Sequence, residues 1–411
     1  MNYIEREDLM HALRAHRGTQ AVKVLVGVRR CGKSTLLGHY AQSLIDEGVP
    51  ERNVFIKRFD SFDVPLDYDA EQLYRDLQNA VERSEPGMFY VFLDEIQEVS
   101  GWEKVVRRLH TRELTDVYIT GSNAYLLSGE LATYLAGRYV AVPVFPLSFR
   151  EYSTYAASLD SRQTQERLFA SYMMFGGMPG LYADGDVREV NQGKAAEILG
   201  AIYESVVVKD VATRYGVRDM ATLEKLSRYL FSTSGNLFST NKVVGTLRSA
   251  GIGIASATAE NQIDALEKAF IIYGCEQSRI RGKELLRPQR KYYPVDNGFR
   301  NLANGFNGAD QGAQLEGIVF MELKRRGYAV SIGALPDAEI DFVARRDSDT
   351  VYMQVTLNMT DEATRARELA PLRRLNSAFP RTVLTLDRFG LGVTEEGIRI
   401  VNALDWLLGA E

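Results

Sequence analysis

Apolar positions along this chain follow two regimes. Up to about residue 150, short apolar runs alternate with stretches of helical period. A polar leading helix is expected within residues 1–20, and Ala21–Gly27 is an apolar run ending in a glycine-rich turn. Ser34 to about Glu47 has helical spacing, and Asn53–Phe59 alternates as a strand does. Ala70–Arg83 is helical in pattern, and Met88–Leu93 is almost continuously apolar. Trp102–Arg112 predicts a helix, Asp116–Thr120 a buried strand, Tyr125–Ala136 a helix, and Tyr139–Phe145 a strand closed by Pro146. Strands that are apolar throughout must be covered on both faces, and their alternation with helices predicts a parallel sheet in an α/β fold.

Beyond residue 150 the pattern changes. Phe149–Lys209 is mostly helical, with a break at Gly176-Gly177-Met178-Pro179-Gly180. Three amphipathic helical stretches follow at 221–233, 239–250 and 259–270, with Ser239 and Thr258 as plausible N-caps. Residues 311–411 return to helix, strands, helix and strand. The domains expected are 1–150, a nucleotide-binding core; 151–218, a helical lid or linker; 219–304; and 305–411.

Composition narrows the class. The chain has 411 residues, 45% hydrophobic and 25% charged, which excludes wholesale disorder, collagen and coiled coil. The net charge of −5 excludes a uniformly basic protein but permits a local basic patch. Two cysteines and four histidines make a disulfide framework or a zinc enzyme a poor fit. With no signal peptide and no membrane-length apolar run, the sequence reads as a cytoplasmic multidomain protein without a membrane partner.

The chemistry concentrates in the first 140 residues. Gly27-Val28-Arg29-Arg30-Cys31-Gly32-Lys33-Ser34 fits GxxxxGK[ST], between an apolar strand and a helix. Glycines let backbone N–H groups curl round phosphates, and the helix N-terminus adds partial positive charge. Gly27, Arg30, Cys31, Gly32, Lys33, Ser34 and Thr35 are therefore the expected nucleotide-binding residues. Lys33 is assigned to the β- and γ-phosphates and the Ser34 hydroxyl to Mg²⁺. The strand ending in Asp94-Glu95 brings two carboxylates to the ligand crevice: Asp94 for Mg²⁺, Glu95 for the attacking water. After the next strand, Ser122 or Asn123 is a candidate to orient that water; capping the following helix is an equal alternative. Arg138 is a candidate arginine finger acting on a neighbouring subunit's nucleotide, the alternative being a cation at a helix end.

In combination these motifs resemble prokaryotic AAA+-type P-loop ATPases that carry a C-terminal domain of unknown function. The resemblance rests on the GxRRxGKST loop, the apolar strand ending in Asp-Glu, ITGSN, LAGR, Pro146-Leu147-Ser148-Phe149-Arg150-Glu151-Tyr152, the GGxP turn, and Val208-Lys209-Asp210-Val211. It spans nearly the whole chain. It implies an α/β, RecA-like P-loop core with a helical lid, a winged-helix domain and a restriction-endonuclease-like terminal domain. A second sensing arginine is not identified, with Arg214 and Arg218 as possibilities.

The three helical stretches and the turn at Gly251–Ser256 suit a winged helix-turn-helix. The segment after them holds Arg279, Arg281, Lys283, Arg287, Arg290 and Lys291 against the single acid Glu284, and reads as a basic hairpin. Phosphate contact is one reading of those six residues; a solvated face or an oligomer contact is the other. In the terminal region, Glu316 on a helix and Asp341 on a strand match the acids of a metal-dependent nuclease. The expected acid-x-lysine is Gln354-Val355-Thr356, so a binding or assembly role is favoured over cleavage. The expected activity is Mg²⁺-dependent hydrolysis of ATP by a homo-oligomer, such as a hexameric ring, that binds or remodels duplex or branched DNA. A protein-directed switch and an ATP-dependent nuclease are the alternatives.

Overall fold

The computed structural model describes residues 3–122, 137–182, 190–280 and 289–410. The chain forms two compact units. One is Glu5–Phe145 with Lys268–Phe270; the other is built mainly from Pro146–Glu267 and Ile271–Glu411. The segments expected as lid, third and fourth domains lie in the second unit, apart from Lys268–Phe270.

The first unit runs α1 (Glu7–Ala15), β1 (Val22–Val26), α2 (Lys33–Asp46), β2 (Val54–Arg58), α3 (Ala70–Glu82) and β3 (Phe89–Asp94). It continues through α4 (Trp102–His110), β4 (Thr115–Gly121) and β5 (Tyr139–Pro143). The helix expected at Tyr125–Ala136 lies outside the described residues. The five strands form one parallel sheet in the order β2-β3-β4-β1-β5. Every residue of β1 and β3 is buried, as their apolar runs require. Val24, Val91, Leu93 and Ile119 on one face meet Leu73 and Leu77 of α3 and Trp102 and Val106 of α4. Burying each such side chain is worth about 1.5–3 kcal/mol. A capping box at Asp69 and Gln72 starts α3.

Lys23 breaks the apolar pattern of β1 and is fully buried. Its ammonium pairs with the equally buried Asp116 on β4, which also accepts hydrogen bonds from the Tyr118 hydroxyl (2.9 Å) and the Gly18 N–H (2.7 Å). Burial pulls the Lys23 pKa down while Asp116 opposes the shift.

The second unit begins with α5 (Phe149–Leu159), α6 (Gln165–Phe175) and α7 (Gln192–Ser205), which runs on into π-helical turns at Val206–Thr213. Then come α8 (Met220–Ser232), β6 (Leu237–Phe238), α9 (Thr240–Ser249), α10 (Ser256–Lys268), β7 (Ile272–Arg279) and β8 (Arg290–Pro294). The terminal part is α11 (Asn297–Ala303), α12 (Gln311–Arg325), β9 (Ala329–Ala334), β10 (Glu339–Arg346), β11 (Asp349–Thr356), α13 (Glu362–Arg373), β12 (Arg381–Thr385), β13 (Gly392–Val393), β14 (Ile398–Asn402) and α14 (Ala403–Leu408).

Nine of these strands make one sheet, in the order β13-β14-β12-β11-β10-β9-β7-β8-β6. β7 pairs antiparallel with β8 and parallel with β9, so the hairpin and the terminal strands share a ladder across residue 305. Two expected caps differ. α10 starts at Ser256, which leaves Thr258 inside its first turn, and Ser239 occupies the N-cap of α9 without a side-chain cap bond.

The two sequence motifs that follow the first unit have structural reasons. Ser148 and Glu151 form the capping box of α5. In the GGMP turn, Gly176 has φ +79°, and a Cβ there would lie 1.8 Å from Asp296 Oδ1. The Asp296 carboxylate accepts the N–H groups of Gly177 (2.6 Å) and Gly298 (2.8 Å). Burial pushes its pKa up to about 6, against the pull of those two N–H groups and of Arg325.

Candidate active site

The loop from Gly27 to Gly32 leaves the carboxyl end of β1 and enters α2 at Lys33. Gly27 (φ +156°), Arg30 (φ +63°) and Gly32 (φ +101°) supply its curl. A Cβ on Gly27 would sit 2.0 Å from the Val144 carbonyl oxygen, so the close approach of β5 requires glycine. The buried Cys31 thiol donates to that same carbonyl (3.0 Å). Its side chain secures the loop. The buried Arg6 guanidinium donates to the carbonyls of Cys31 (3.1 Å) and Phe145 (2.9 Å), tying the start of α1 to the loop.

Lys33 Nζ lies over the loop, donating to the carbonyls of Gly27 (2.9 Å) and Val28 (3.1 Å). One helical residue on, Ser34 Oγ donates to Asp94 Oδ1 (3.1 Å). Thr120 Oγ1 donates to the same oxygen (2.5 Å) and accepts the Glu95 N–H (2.9 Å). Arg58 Nε stands 3.7 Å from Asp94 Oδ2 and also binds Asp60. Glu95 has φ +53°, and its carboxylate accepts a hydrogen bond from the Gln97 side-chain amide. Burial raises the Glu95 pKa; Lys33 and Gln97 pull it back and Asp94 adds to the rise. A carboxylate shifted this way holds a proton more readily, which suits a base. The hard oxygens of Ser34 and Asp94, already in contact, are the donor type Mg²⁺ takes, so the residues present fit that ion.

Thr35 and Arg30 are exposed beside the loop, and Ser122 is buried directly after β4. Asn123 lies outside the described residues. Arg138 is exposed at the opposite end of the sheet. Its carbonyl accepts the Val22 N–H (3.1 Å), and Tyr139 pairs with Val22. The five residues of β1, about 16 Å at a strand's rise, therefore separate Arg138 from the loop of its own chain.

Sequence reasoning missed Thr120, Arg58, Gln97 and Arg6. Arg58 pairs directly with Asp94 in the β2–β3 register, and Thr120 pairs with Leu25 of β1. Strand order was the signal needed for both. Of the expected phosphate-binding residues, Lys291 is corrected by its burial, whereas Arg290 remains exposed. Arg290 is engaged by Glu276 and Glu267, and Lys291 is buried against Glu316 and Glu339. Lys291 faces inward on β8, between Glu316 of α12 and Glu339 of β10, while Arg290 stays exposed beside Glu276 of β7. Arg279 is exposed, whereas Arg281, Lys283 and Arg287 lie outside the described residues.

Comparison with known proteins follows the same division. An AAA domain matches residues 19–153, and a domain of unknown function matches residues 166–310. An uncharacterized protein of Haemophilus influenzae is 37% identical over 407 residues, 98% of each chain. This chain belongs to the AAA-type P-loop ATPases. An uncharacterized protein of Methanocaldococcus jannaschii is a more distant relative of this ATPase, 26% identical over 356 residues, or 83% of this chain and 76% of the relative. A Walker-type ATPase of Pyrococcus abyssi shares the fold, with a TM-score of 0.50 at 14% identity, over 74% of this chain and 96% of that one. The ATPase thus binds nucleotide on an α/β P-loop scaffold, followed by a domain of unknown function. Among its described residues no helix is long and apolar enough to cross a membrane.

Proposed function

We propose that this ATPase is a Mg²⁺-dependent homo-oligomer that hydrolyses ATP at a site shared between subunits and works on DNA. The observation that carries the first part is the hydrogen-bonded cluster of Ser34, Asp94, Thr120 and Glu95 beside a loop over which Lys33 is held. The loop N–H groups, Lys33 and Thr35 hold the triphosphate, and Ser34 and Asp94 hold the metal. Mg²⁺ bound there would withdraw charge from the β- and γ-phosphate oxygens. Glu95 takes a proton from the attacking water as its oxygen bonds to the γ-phosphorus. The bond to the bridging oxygen breaks, and ADP and phosphate leave. Thr120 fixes the Asp94 carboxylate and the Glu95 backbone, and Ser122 or Asn123 orients the water.

The distance of Arg138 from its own loop supports action in trans, on the nucleotide of the next protomer. A contact in which one end of the sheet meets the opposite end on a neighbour is heterologous, and such contacts make a ring where the rotation closes and a filament where it does not. The order α8, β6, α9, α10 and the β7–β8 hairpin is that of a winged helix, which supports domains at 151–218 (lid), 219–304 (winged helix) and 305–411 (nuclease-like). The exposed Lys242 and Arg248 on α9, with Arg279, support contact with DNA phosphates.

A protein target is the second reading. Glu260, Asp264 and Glu267 make α10 acidic, and the charges of Arg290 and Lys291 are paired within the chain. Steady-state ATPase with and without single-stranded, duplex and four-way DNA, with Lys33→Ala as blank, separates the two. Stimulation with a steep negative salt dependence supports DNA; indifference to all three assigns the second unit to protein. Glu95→Gln is expected to bind ATP and barely turn over, and normal turnover would overturn the base assignment.

A further inference from the structure

In the second unit, α12, the three antiparallel strands β9, β10 and β11, α13 and the parallel strand β12 follow one another in the order of a restriction-endonuclease-like fold. Such a fold implies a divalent metal held by Glu316, Asp341 and residue 354. The donor set here is already committed elsewhere. The Gln354 carbonyl, the one oxygen that side chain offers a metal, faces the Asp341 N–H at 3.3 Å. Asp341 Oδ2 accepts the Val355 N–H (2.8 Å), and Glu316 Oε1 accepts the Tyr293 hydroxyl (2.6 Å). Thr356 brings no charge. Among the described residues no three His, Cys, Asp or Glu side chains are placed to hold a metal ion.

A cation is nonetheless present. Lys291 Nζ lies 3.2 Å from Glu316 Oε1 and 2.5 Å from Glu339 Oε1, with its side chain only 6% exposed. Burial alone would lower its pKa, but Glu316, Asp341 and Glu339 more than reverse that, and its pKa is raised. Burial and Glu316 drive the Asp341 pKa upward, and Lys291 restrains it. An ion bound to Glu316 Oε1 would have to displace both this ammonium and the Tyr293 hydroxyl from that oxygen. Gly235 packs over Glu316; a Cβ at Gly235 would lie 3.6 Å from both carboxylate oxygens.

Lys291 also joins distant strands. It sits on β8, and Glu339 on β10, with β7 and β9 between them in the sheet order. The sheet therefore curls, and the Tyr293 ring stacks on Phe320 of α12 (centroids 4.3 Å apart) inside the curl. We propose that Lys291 is a built-in cation standing where a divalent metal would sit, so that this cluster takes no metal, cuts no phosphodiester and instead clamps the β7–β8 hairpin to the terminal sheet. This is independent of the nucleotide-site reading, because it rests on the second unit alone.

The test is Mn²⁺ binding to the full chain carrying Asp94→Asn, without nucleotide, read by electron paramagnetic resonance and by thermal melting. The parent should show no Mn²⁺ site that Glu316→Gln removes, and no shift in Tm with Mn²⁺. Adding Lys291→Met should lower Tm, create a Mn²⁺ site abolished by Glu316→Gln, and let Mn²⁺ restore several degrees of Tm. A Glu316-dependent Mn²⁺ site in the parent, or DNA cleavage lost in Asp341→Asn, overturns the proposal. So does a folded Lys291→Met chain that gains no Mn²⁺ site. If Lys291→Met does not fold, the parent and its Glu316→Gln variant still decide between the two outcomes.

Discussion

Replacing Thr120 by valine keeps the shape of the side chain and removes one hydroxyl that holds both the Asp94 carboxylate and the backbone of Glu95. Two hydrogen bonds go: one to the charged Asp94 and one from the Glu95 N–H. A hydrogen bond to a charged group is worth about 1.5–3 kcal/mol, and a buried N–H left unpaired costs about 1–3 kcal/mol. The native state should therefore lose roughly 3 kcal/mol, measured by urea unfolding. The kinetic consequence is separable. Lys33, Ser34 and the loop are untouched, so KM for ATP should change little, while misplaced carboxylates weaken stabilisation of the transition state. A loss of about 1.4–2.8 kcal/mol there lowers kcat by about 10- to 100-fold. Thr120→Ser retains the hydroxyl and should recover most of both. A Thr120→Val enzyme with kcat within about twofold of the parent and undiminished stability would refute the positioning argument.

Asp116→Ala strands the Lys23 ammonium in the core of the first sheet and should cost about 3–5 kcal/mol in chemical denaturation, more than Asp116→Ala combined with Lys23→Met. Asp296 has a folded pKa of about 6 against an ordinary 3.8, so the native state binds this proton more tightly. Its contribution, about 3 kcal/mol, is fully present below pH 3.8 and is lost as pH rises through 6. Asp296→Asn should remove that part of the stability–pH slope between pH 4 and 7. Arg138→Ala should be inactive alone yet regain ATPase when mixed with Glu95→Gln, because mixed contacts include intact half-sites; no rescue at any mixing ratio would exclude action in trans.

The first unit was legible because its physics is local. A strand buried on both faces must be an apolar run, and a phosphate loop must place glycine, lysine and serine at fixed spacing. Gly27 through Ser34 and Asp94-Glu95 announce themselves for that reason. Thr120 and Arg58 do not, since their roles depend on which strands are neighbours, and ordinary strand residues carry no mark of that order. Lys23 sits in an apolar strand only because Asp116 of β4 meets it there. Arg290 and Lys291 read as a solvent-facing basic pair while their partners at 267, 276, 316 and 339 are unknown. Once the strands are assembled, Lys291 becomes internal, while Arg290 stays exposed and pairs with Glu276. The capping pair Ser148 and Glu151, by contrast, explains a motif by local chemistry that is plain from its spacing alone.

The ladder between β7 and β9 bears on how this protein can be divided. A cut near residue 305, where composition suggests a seam, would strip β7 of its parallel neighbour and leave the β9-facing backbone groups of Gln277–Arg279 without partners. It would also leave Lys291 on one fragment and both of its carboxylates on the other. Each fragment would then expose a raw strand edge, the kind of surface on which chains aggregate. Expression screens that truncate there should yield insoluble material from both halves, whereas fragments that keep residues 271–411 together retain the whole sheet except β6.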